Sequence, residues 1–260
     1  MDSISNQLVF NTVRLVAHQP NGHENFGTGF IVAIGDGEST IPLIVTCSHC
    51  LSGAISVSLT CVSANKDGTP DLGNVQTWTL DKSLLQLVAP HASLDVVAIP
   101  FGPIANQAHA AGKPIFHRQL IASNFVSEEE REKLTALESV VFVGYPLGLY
   151  DSKNALPLLR VGSTASPIWS YFEQEPKFLI DAEVFPGSSG SPVFILNEGA
   201  YSTPEGLSVG IRFHLVGMIT QSLNTSGHAG QHVGLGAVLH ANPIREYLLA
   251  AAKHLSLHGA

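Results

Sequence analysis

Gly29-Phe30-Ile31-Val32-Ala33-Ile34-Gly35-Asp36-Gly37 and, three residues on, Ile41-Pro42-Leu43-Ile44-Val45-Thr46-Cys47 are two short apolar runs joined through a Gly-Asp-Gly turn. The pair reads as a β-hairpin, because Gly and Asp accept the backbone angles that tight hairpin turns require. The same pattern continues outward. Upstream lies Gln7–Ala17; downstream, Ala54–Ala64 and Val75–Leu80 flank a turn at Lys66-Asp67-Gly68. Leu84–Ala89 and Val96–Pro100 complete an N-terminal group of about seven strands.

Residues 101–126 carry few strand signals. They lead into Ser127-Glu128-Glu129-Glu130, a Ser with Glu three positions later, which is a helix capping box. Residues 128–138 hold seven charged side chains, the mark of a short solvated connector helix. Strands then return at Ser139–Gly144, Leu156–Gly162, Lys177–Val184, Ser191–Leu196, Ser208–Gln221 and His232–Val238. At the end, Asn242-Pro243 reads as an N-cap followed by the first helical residue, with Ile244, Leu248, Ala252 and Leu255 forming one apolar stripe. The expectation is an all-β fold of two packed antiparallel β-barrels in a single domain. Its parts are a first barrel over about 8–100, a connector over 101–138, a second barrel over 139–240, and a C-terminal helix and tail over 241–260.

Composition excludes several classes. The chain has 260 residues, of which 45% are hydrophobic and only 13% charged, the opposite of a disordered chain. Its 24 glycines and 15 prolines suit many turns and not a helix bundle. The net charge of −8 comes without any block of Lys or Arg, so no nucleic-acid partner is expected. No apolar run reaches the roughly 18 residues of a membrane span, and no membrane partner is expected. The start carries Asp2 and no basic segment, so a cytoplasmic location is expected. Three cysteines, Cys47, Cys50 and Cys61, agree with a reducing compartment. Cys47 and Cys50 bracket His49 but lack the second ligand pair of a zinc site, and read as small buried thiols on a strand. Neither metal nor cofactor is expected.

Three segments carry chemistry. Leu43–Leu51 is an apolar strand ending in a polar loop that presents His49; Ser93–Ile99 holds Asp95 at the mouth of a buried strand; Pro186–Val193 is a glycine-flanked turn holding Ser189. A Ser hydroxyl needs a base to become a nucleophile. His is the natural base near neutral pH, and a carboxylate on its far nitrogen fixes the tautomer. Glycines beside Ser189 let the chain turn sharply, so that the N–H groups of Gly187 and Ser189 can converge on a developing oxyanion.

Taken together, these segments resemble the trypsin-like (chymotrypsin-fold) serine peptidases, most closely their bacterial HtrA-like and glutamyl-endopeptidase-like branches. Gly27-Thr28-Gly29-Phe30 is similar to the family's G-[ST]-G-[FV] strand, Val45–His49 to the strand ending in its His, and Leu94–Ile99 to its Asp segment. Gly187-Ser188-Ser189-Gly190-Ser191-Pro192 is similar to its nucleophile motif, Leu215–Thr220 to its cleft strand, and Gly144-Tyr145-Pro146-Leu147-Gly148 to an HtrA-like turn. The resemblance covers roughly residues 8–250 and implies a serine endopeptidase with the triad His49, Asp95 and Ser189, and an oxyanion hole at Gly187, Ser188 and Ser189. It also implies protein or peptide substrates and leaves room for a regulatory protein partner. Ser188 stands where digestive members carry an acid, so no zymogen switch is expected and neutral hydrogen bonds must hold the loop. Cys50 stands where those members carry a disulfide cysteine, with no partner upstream of Cys47. No peptide-binding module is expected after the catalytic domain. The activity is expected to rise through about pH 6.5 to 7 as His49 loses its proton. By the same resemblance, Glu183 lies at the primary specificity pocket, with Thr220, Gln221 and Ser222 on the facing wall. A carboxylate there would favour Arg or Lys, in competition with a small or apolar preference. Other readings are an inactive trypsin-fold binding protein, an esterase-like acyl hydrolase, and a metal enzyme built on Cys47, His49 and Cys50.

Overall fold

A computed structural model of the chain describes residues 3–35, 40–87, 89–224 and 232–258. The turn expected at Gly35-Asp36-Gly37 lies mostly outside the described residues. The strands that it joins, β2 (Glu24–Gly35) and β3 (Thr40–Thr46), pair antiparallel with Ile31 opposite Ile44 and Val32 opposite Leu43. On β2, residues Gly27 to Ile34 are all buried, as a strand covered on both faces requires.

Around this hairpin lies the first sheet. Its other strands are β1 (Thr12–His18), β4 (Ser56–Ala64), β5 (Pro70–Asp81), β6 (Val97–Pro100), β7 (Ile115–Phe116) and β8 (Leu120–Ile121). The main path runs β5-β4-β1-β2-β3-β6, with β7 on β4 and the short β8 parallel to β2. Its ends, β5 and β6, are bridged by the short helix α3 (Lys82–Leu85), which packs on both. The second sheet holds β9 (Ser139–Gly144), β10 (Leu158–Thr164), β11 (Lys177–Asp181), β12 (Pro192–Thr203), β13 (Gly206–Asn224) and β14 (His232–His240). It closes into a hydrogen-bonded barrel in the order β10-β11-β14-β13-β12-β9.

Several boundaries differ from the sequence reading. The strand expected over Gln7–Ala17 starts at Thr12, because Ser3 caps a helical turn, α1 (Ile4–Leu8), by accepting from the Asn6 N–H. Leu84–Ala89 is not a strand. Leu84, Leu85 and Leu87 are helix formers rather than β-branched residues, and the segment turns as α3 instead, with Leu84 and Leu85 against the first core. Within 101–126 the chain forms α4 (Gly102–Ala110), which buries Ile104 and Ala108 one turn apart. The capping box is present on α5 (Glu128–Glu132): the Glu130 N–H donates to Ser127 Oγ, and the Ser127 N–H donates to Glu130 Oε2.

The last helix, α6 (Ala241–His258), begins before Asn242, so Asn242 does not cap it. Its side chain instead donates to Glu128. Pro243 is tolerated because it stays in the first turn, whose N–H groups have no intrahelical partner. The expected stripe of Ile244, Leu248, Ala252 and Leu255 is buried, and α6 packs on β2 of the first sheet and on β13 and β14 of the second. Tyr247 on α6 accepts from the Ala98 N–H at 3.0 Å and donates to the Ala89 carbonyl at 2.8 Å, which fixes the entry to β6. Among the described residues no helix is long and apolar enough to cross a membrane.

The two sheets are joined at Thr28 on β2, which is fully buried. Its N–H donates to the Ser189 carbonyl at 2.9 Å, and its hydroxyl donates to the Gly187 carbonyl at 2.8 Å. That hydroxyl also accepts from the Tyr145 N–H at 3.1 Å, while the Thr28 carbonyl accepts from Thr46 Oγ1 at 2.7 Å. Thr28→Val keeps the shape but leaves the Tyr145 N–H and the Gly187 carbonyl unpaired. Each buried group left without a partner costs about 1–3 kcal/mol, so stability should fall by about 2–6 kcal/mol. Urea unfolding with an unchanged slope and a lower midpoint is the expected readout.

Candidate active site

His49 sits on α2 (Ser48–Leu51), a single helical turn entered directly from β3. The buried strand fixes the start of the turn, and the turn lifts the imidazole to the surface, where its side chain is 51% exposed. Asp95 lies just before β6 and receives three donors: His49 Nδ1 at 2.6 Å on Oδ2, the His49 N–H at 3.0 Å on Oδ1, and Ser48 Oγ at 2.7 Å on Oδ1. Burial alone would raise the Asp95 pKa, but the bonds from His49 and Ser48 outweigh it and hold the carboxylate at about 2. In return the Asp95 bond, and after it the contact with Cys50, push His49 well above its usual value. With Nδ1 bound to Asp95, Nε2 is the nitrogen left to meet other groups.

Ser189 stands on a turn between Gly187 and Gly190, at φ +90° and +89°. Both positions require glycine. A Cβ on Gly190 would lie 1.9 Å from the Thr28 carbonyl oxygen, and one on Gly187 would lie 2.5 Å from that of Tyr145. The turn is held by backbone bonds: Ser188 N–H to Phe185 O at 2.9 Å, Gly190 N–H to Ile219 O at 2.8 Å, and Ser191 N–H to Ser188 O at 3.0 Å. The expected neutral hydrogen bonds are therefore present, although the buried Ser188 hydroxyl has no partner of its own among the described residues. The Pro186 carbonyl accepts from the Leu147 N–H at 2.6 Å. A planar trans peptide then turns the Gly187 N–H to the opposite side. Neither that N–H nor the Ser189 N–H is donated to another group among the described residues.

A cleft runs past Ser189 in two parts. One, of about 500 Å³, is lined by His49, Cys50, Phe26, Leu147, Pro186, Gly187 and Ser189, with Glu24 and Asn25 at its edge. The other, of about 470 Å³, brings His49, Asp95 and Ser189 together with Val184, Phe185, Pro186, Thr220, Gln221 and Ser222. Thus His49, Asp95, Ser189, Thr220, Gln221 and Ser222 share one cleft. Glu183 does not join them. It is exposed beyond the end of β11, its carbonyl accepts from Arg160, and Val184 and Phe185 take the wall instead.

Ser189 Oγ donates to the Thr220 carbonyl at 3.2 Å rather than to His49, whose Nε2 faces Cys50 Sγ at 3.7 Å. The two cysteines are buried as expected, but Cys47 caps the α2 turn and Cys50 lies within it rather than on a strand, and Cys50 forms part of the cleft wall. Burial raises the Cys47 thiol, whereas the hydrogen bond from Cys47, and then the His49 contact, lower Cys50. Sequence reasoning missed Ser48 as a second donor to Asp95, Thr28 as the seam, and the Pro186–Leu147 brace. Only the last carried a local signal, the Gly144–Gly148 turn.

The model of the trypsin-like peptidase domain matches residues 27–200. No curated protein is a significant match. Solved structures similar in fold include the active form of a protease from M. tuberculosis, at 15% identity and TM-score 0.50, covering 96% of this chain and 84% of that one. A thermostable serine protease from an extremophilic microorganism matches at 12% identity and TM-score 0.52, covering 94% and 98%. An inactivated protease paralogue of the scabies mite also matches at 12% and 0.52, covering 93% and 94%. With the family model spanning most of the chain, the protein belongs to the trypsin-like peptidases.

Proposed function

We propose that the protein is a serine endopeptidase that cleaves proteins or peptides through an acyl-enzyme on Ser189. The observation that carries this reading is the Asp95–His49 pair: the carboxylate holds Nδ1 at 2.6 Å and the His49 backbone at 3.0 Å, on the wall of the cleft that Ser189 shares. Asp95 is the orienting group and His49 Nε2 the base. For reaction, the Ser189 hydroxyl turns from the Thr220 carbonyl to Nε2. It then attacks the scissile carbonyl, whose oxygen takes its negative charge against the Gly187 and Ser189 N–H groups. His49 passes the proton to the leaving amine, and water releases the acyl group by the reverse steps. Cys47, Cys50 and Cys61 are all free thiols, which suits work in a reducing, cytoplasmic compartment.

Ser189→Ala and His49→Ala should each lower kcat on a protein substrate by about 10⁴-fold or more while leaving the unfolding midpoint nearly unchanged. Asp95→Asn should lose about 10⁴-fold through the wrong His49 tautomer. Near-normal turnover in Ser189→Ala would reject the reading. Activity on small esters without cleavage of any protein would favour an acyl hydrolase instead.

The pH dependence follows from the Asp95 contact. Raising the His49 pKa keeps the protonated, inactive form to higher pH, so activity is lost as pH falls through that raised value. The acid limb of kcat/KM should therefore lie above the ordinary imidazole value of about 6.5. The same limb should move down in the residual activity of Asp95→Asn.

Specificity follows from the lining. Among the described residues, the part of the cleft beside Thr220–Ser222 holds no charged side chain besides Asp95 and His49, which are bound to each other. A neutral side chain of small or moderate size fits it better than Arg or Lys. Glu183→Ala should leave the cleavage preference of a peptide library unchanged, and a preference for Arg or Lys that disappears in this variant would restore Glu183 to the pocket.

A further inference from the structure

We propose that Cys47, Cys50 and His49 Nε2 form a binding site for a soft divalent cation, Zn²⁺ foremost, and that the bound ion switches hydrolysis off by occupying the lone pair of the base. The inhibitory half rests on the reading of His49 as the base; the binding half does not.

Three ligands arise from four consecutive residues. The Cys50 N–H donates to the Cys47 carbonyl at 3.2 Å, closing the α2 turn. One ligand atom each from Cys47, His49 and Cys50 then lies within 4.8 Å of the others, and Cys50 Sγ stands 3.7 Å from His49 Nε2. With Zn–S of about 2.3 Å and Zn–N of about 2.0 Å, ligands around a tetrahedral ion stand roughly 3.5–4 Å apart. The Cys50–His49 pair already meets that separation; the Cys47 sulfur, which donates to the Ile219 carbonyl at 3.3 Å, must turn from that carbonyl to join them. Among the described residues no other three such groups come this close.

The surroundings suit an ion as well as the distances do. Asp95 holds His49 Nδ1, the carboxylate–histidine arrangement that fixes the tautomer and ring plane of a metal-binding imidazole. Two thiolates neutralise a divalent charge in a site whose sulfurs belong to buried residues, 0% and 5% exposed. On binding, both thiol protons leave to solvent, so no oxidant or reductant is consumed. Thiolate and imidazole favour Zn²⁺ over Ca²⁺ or Mg²⁺. Cys50 and His49 both line the cleft, which gives the ion a path from water and leaves a fourth position for a water ligand. Space for Cys50 Sγ exists because residue 27 is Gly: a Cβ there would stand 3.0 Å from that sulfur.

The test uses the whole chain, reduced with a phosphine and freed of metal by a chelator, then titrated with Co²⁺ and Zn²⁺. One Co²⁺ per chain should bind with a thiolate-to-cobalt charge-transfer band in the near ultraviolet, displaced by one equivalent of Zn²⁺. The same equivalent should abolish hydrolysis, with recovery on chelation and no effect of Ca²⁺ or Mg²⁺. Cys47→Ala and Cys50→Ala should each weaken Zn²⁺ inhibition, measured against that variant's own metal-free rate, by more than about 10-fold. Cys47→Ser replaces Cys47→Ala if the latter fails to fold. Cys61→Ala, on β4 in a core cluster apart from the one that holds Cys47 and Cys50, should leave binding unchanged. Ser189→Ala should bind Co²⁺ like the parent, which separates the site from the catalytic reading. Absence of the thiolate band, or Zn²⁺ inhibition equally tight in both Cys47 and Cys50 variants, would overturn the proposal.

Discussion

Everything at the candidate site depends on how Thr28 joins the two sheets. The proposed chemistry needs a base from the first and a nucleophile from the second, held to within a fraction of an ångström. Thr28 N–H and Oγ1 both donate into the Ser189 turn, and its carbonyl accepts from Thr46, two strand positions before the α2 turn that carries His49. One buried residue, through its backbone and its hydroxyl, thus ties the end of β3 to the carbonyls of Gly187 and Ser189. The N–H groups of the same peptides, on Ser188 and Gly190, are bonded to Phe185 and Ile219, whereas those of Gly187 and Ser189 are donated to no other group among the described residues. Gly190 shows how close the contact is, since any side chain there would overlap the Thr28 carbonyl.

A second constraint is electrostatic. Asp95 takes three donors on two oxygens, and this pins the imidazole through both its backbone and its ring. The carboxylate stays ionised, and in the proposed mechanism its charge would favour the imidazolium formed as Ser189 gives up its proton. Tyr247 on the C-terminal helix supports the arrangement from behind, tying Ala89 and Ala98 on either side of the Asp95 loop. The same wiring that prepares His49 to accept a proton also prepares it to accept a metal, and the two cysteines beside it supply what a lone histidine lacks.

The sequence was most legible where local chemistry leaves little choice. β2 and β3 follow from apolar runs, α5 from Ser127 and Glu130, and the Ser189 turn from its flanking glycines. The lining residues Thr220, Gln221 and Ser222 follow from the strand that the family resemblance singled out. What stayed hidden depends on long-range packing. Leu84–Leu87 is apolar enough for a strand, and the packing of α3 on both β5 and β6 adds to its unbranched leucines in favouring a helical turn. Counting back from Ser189 puts Glu183 at the pocket, but the chain leaves β11 at Asp181 and turns Val184 and Phe185 to the cleft instead. Cys50 looked like one more buried thiol, because nothing local says that its sulfur faces the ring of the residue before it.

The central claim is that Ser189, activated by His49, is the nucleophile of a peptidase. The most direct measurement is mass-spectrometric mapping of the site modified by a fluorophosphonate, which reacts only with an activated serine. The account predicts one adduct per chain, on the peptide that contains Ser189, and none in His49→Ala. An unmodified Ser189 in protein that hydrolyses its substrate, or an adduct that forms equally well without His49, would contradict it.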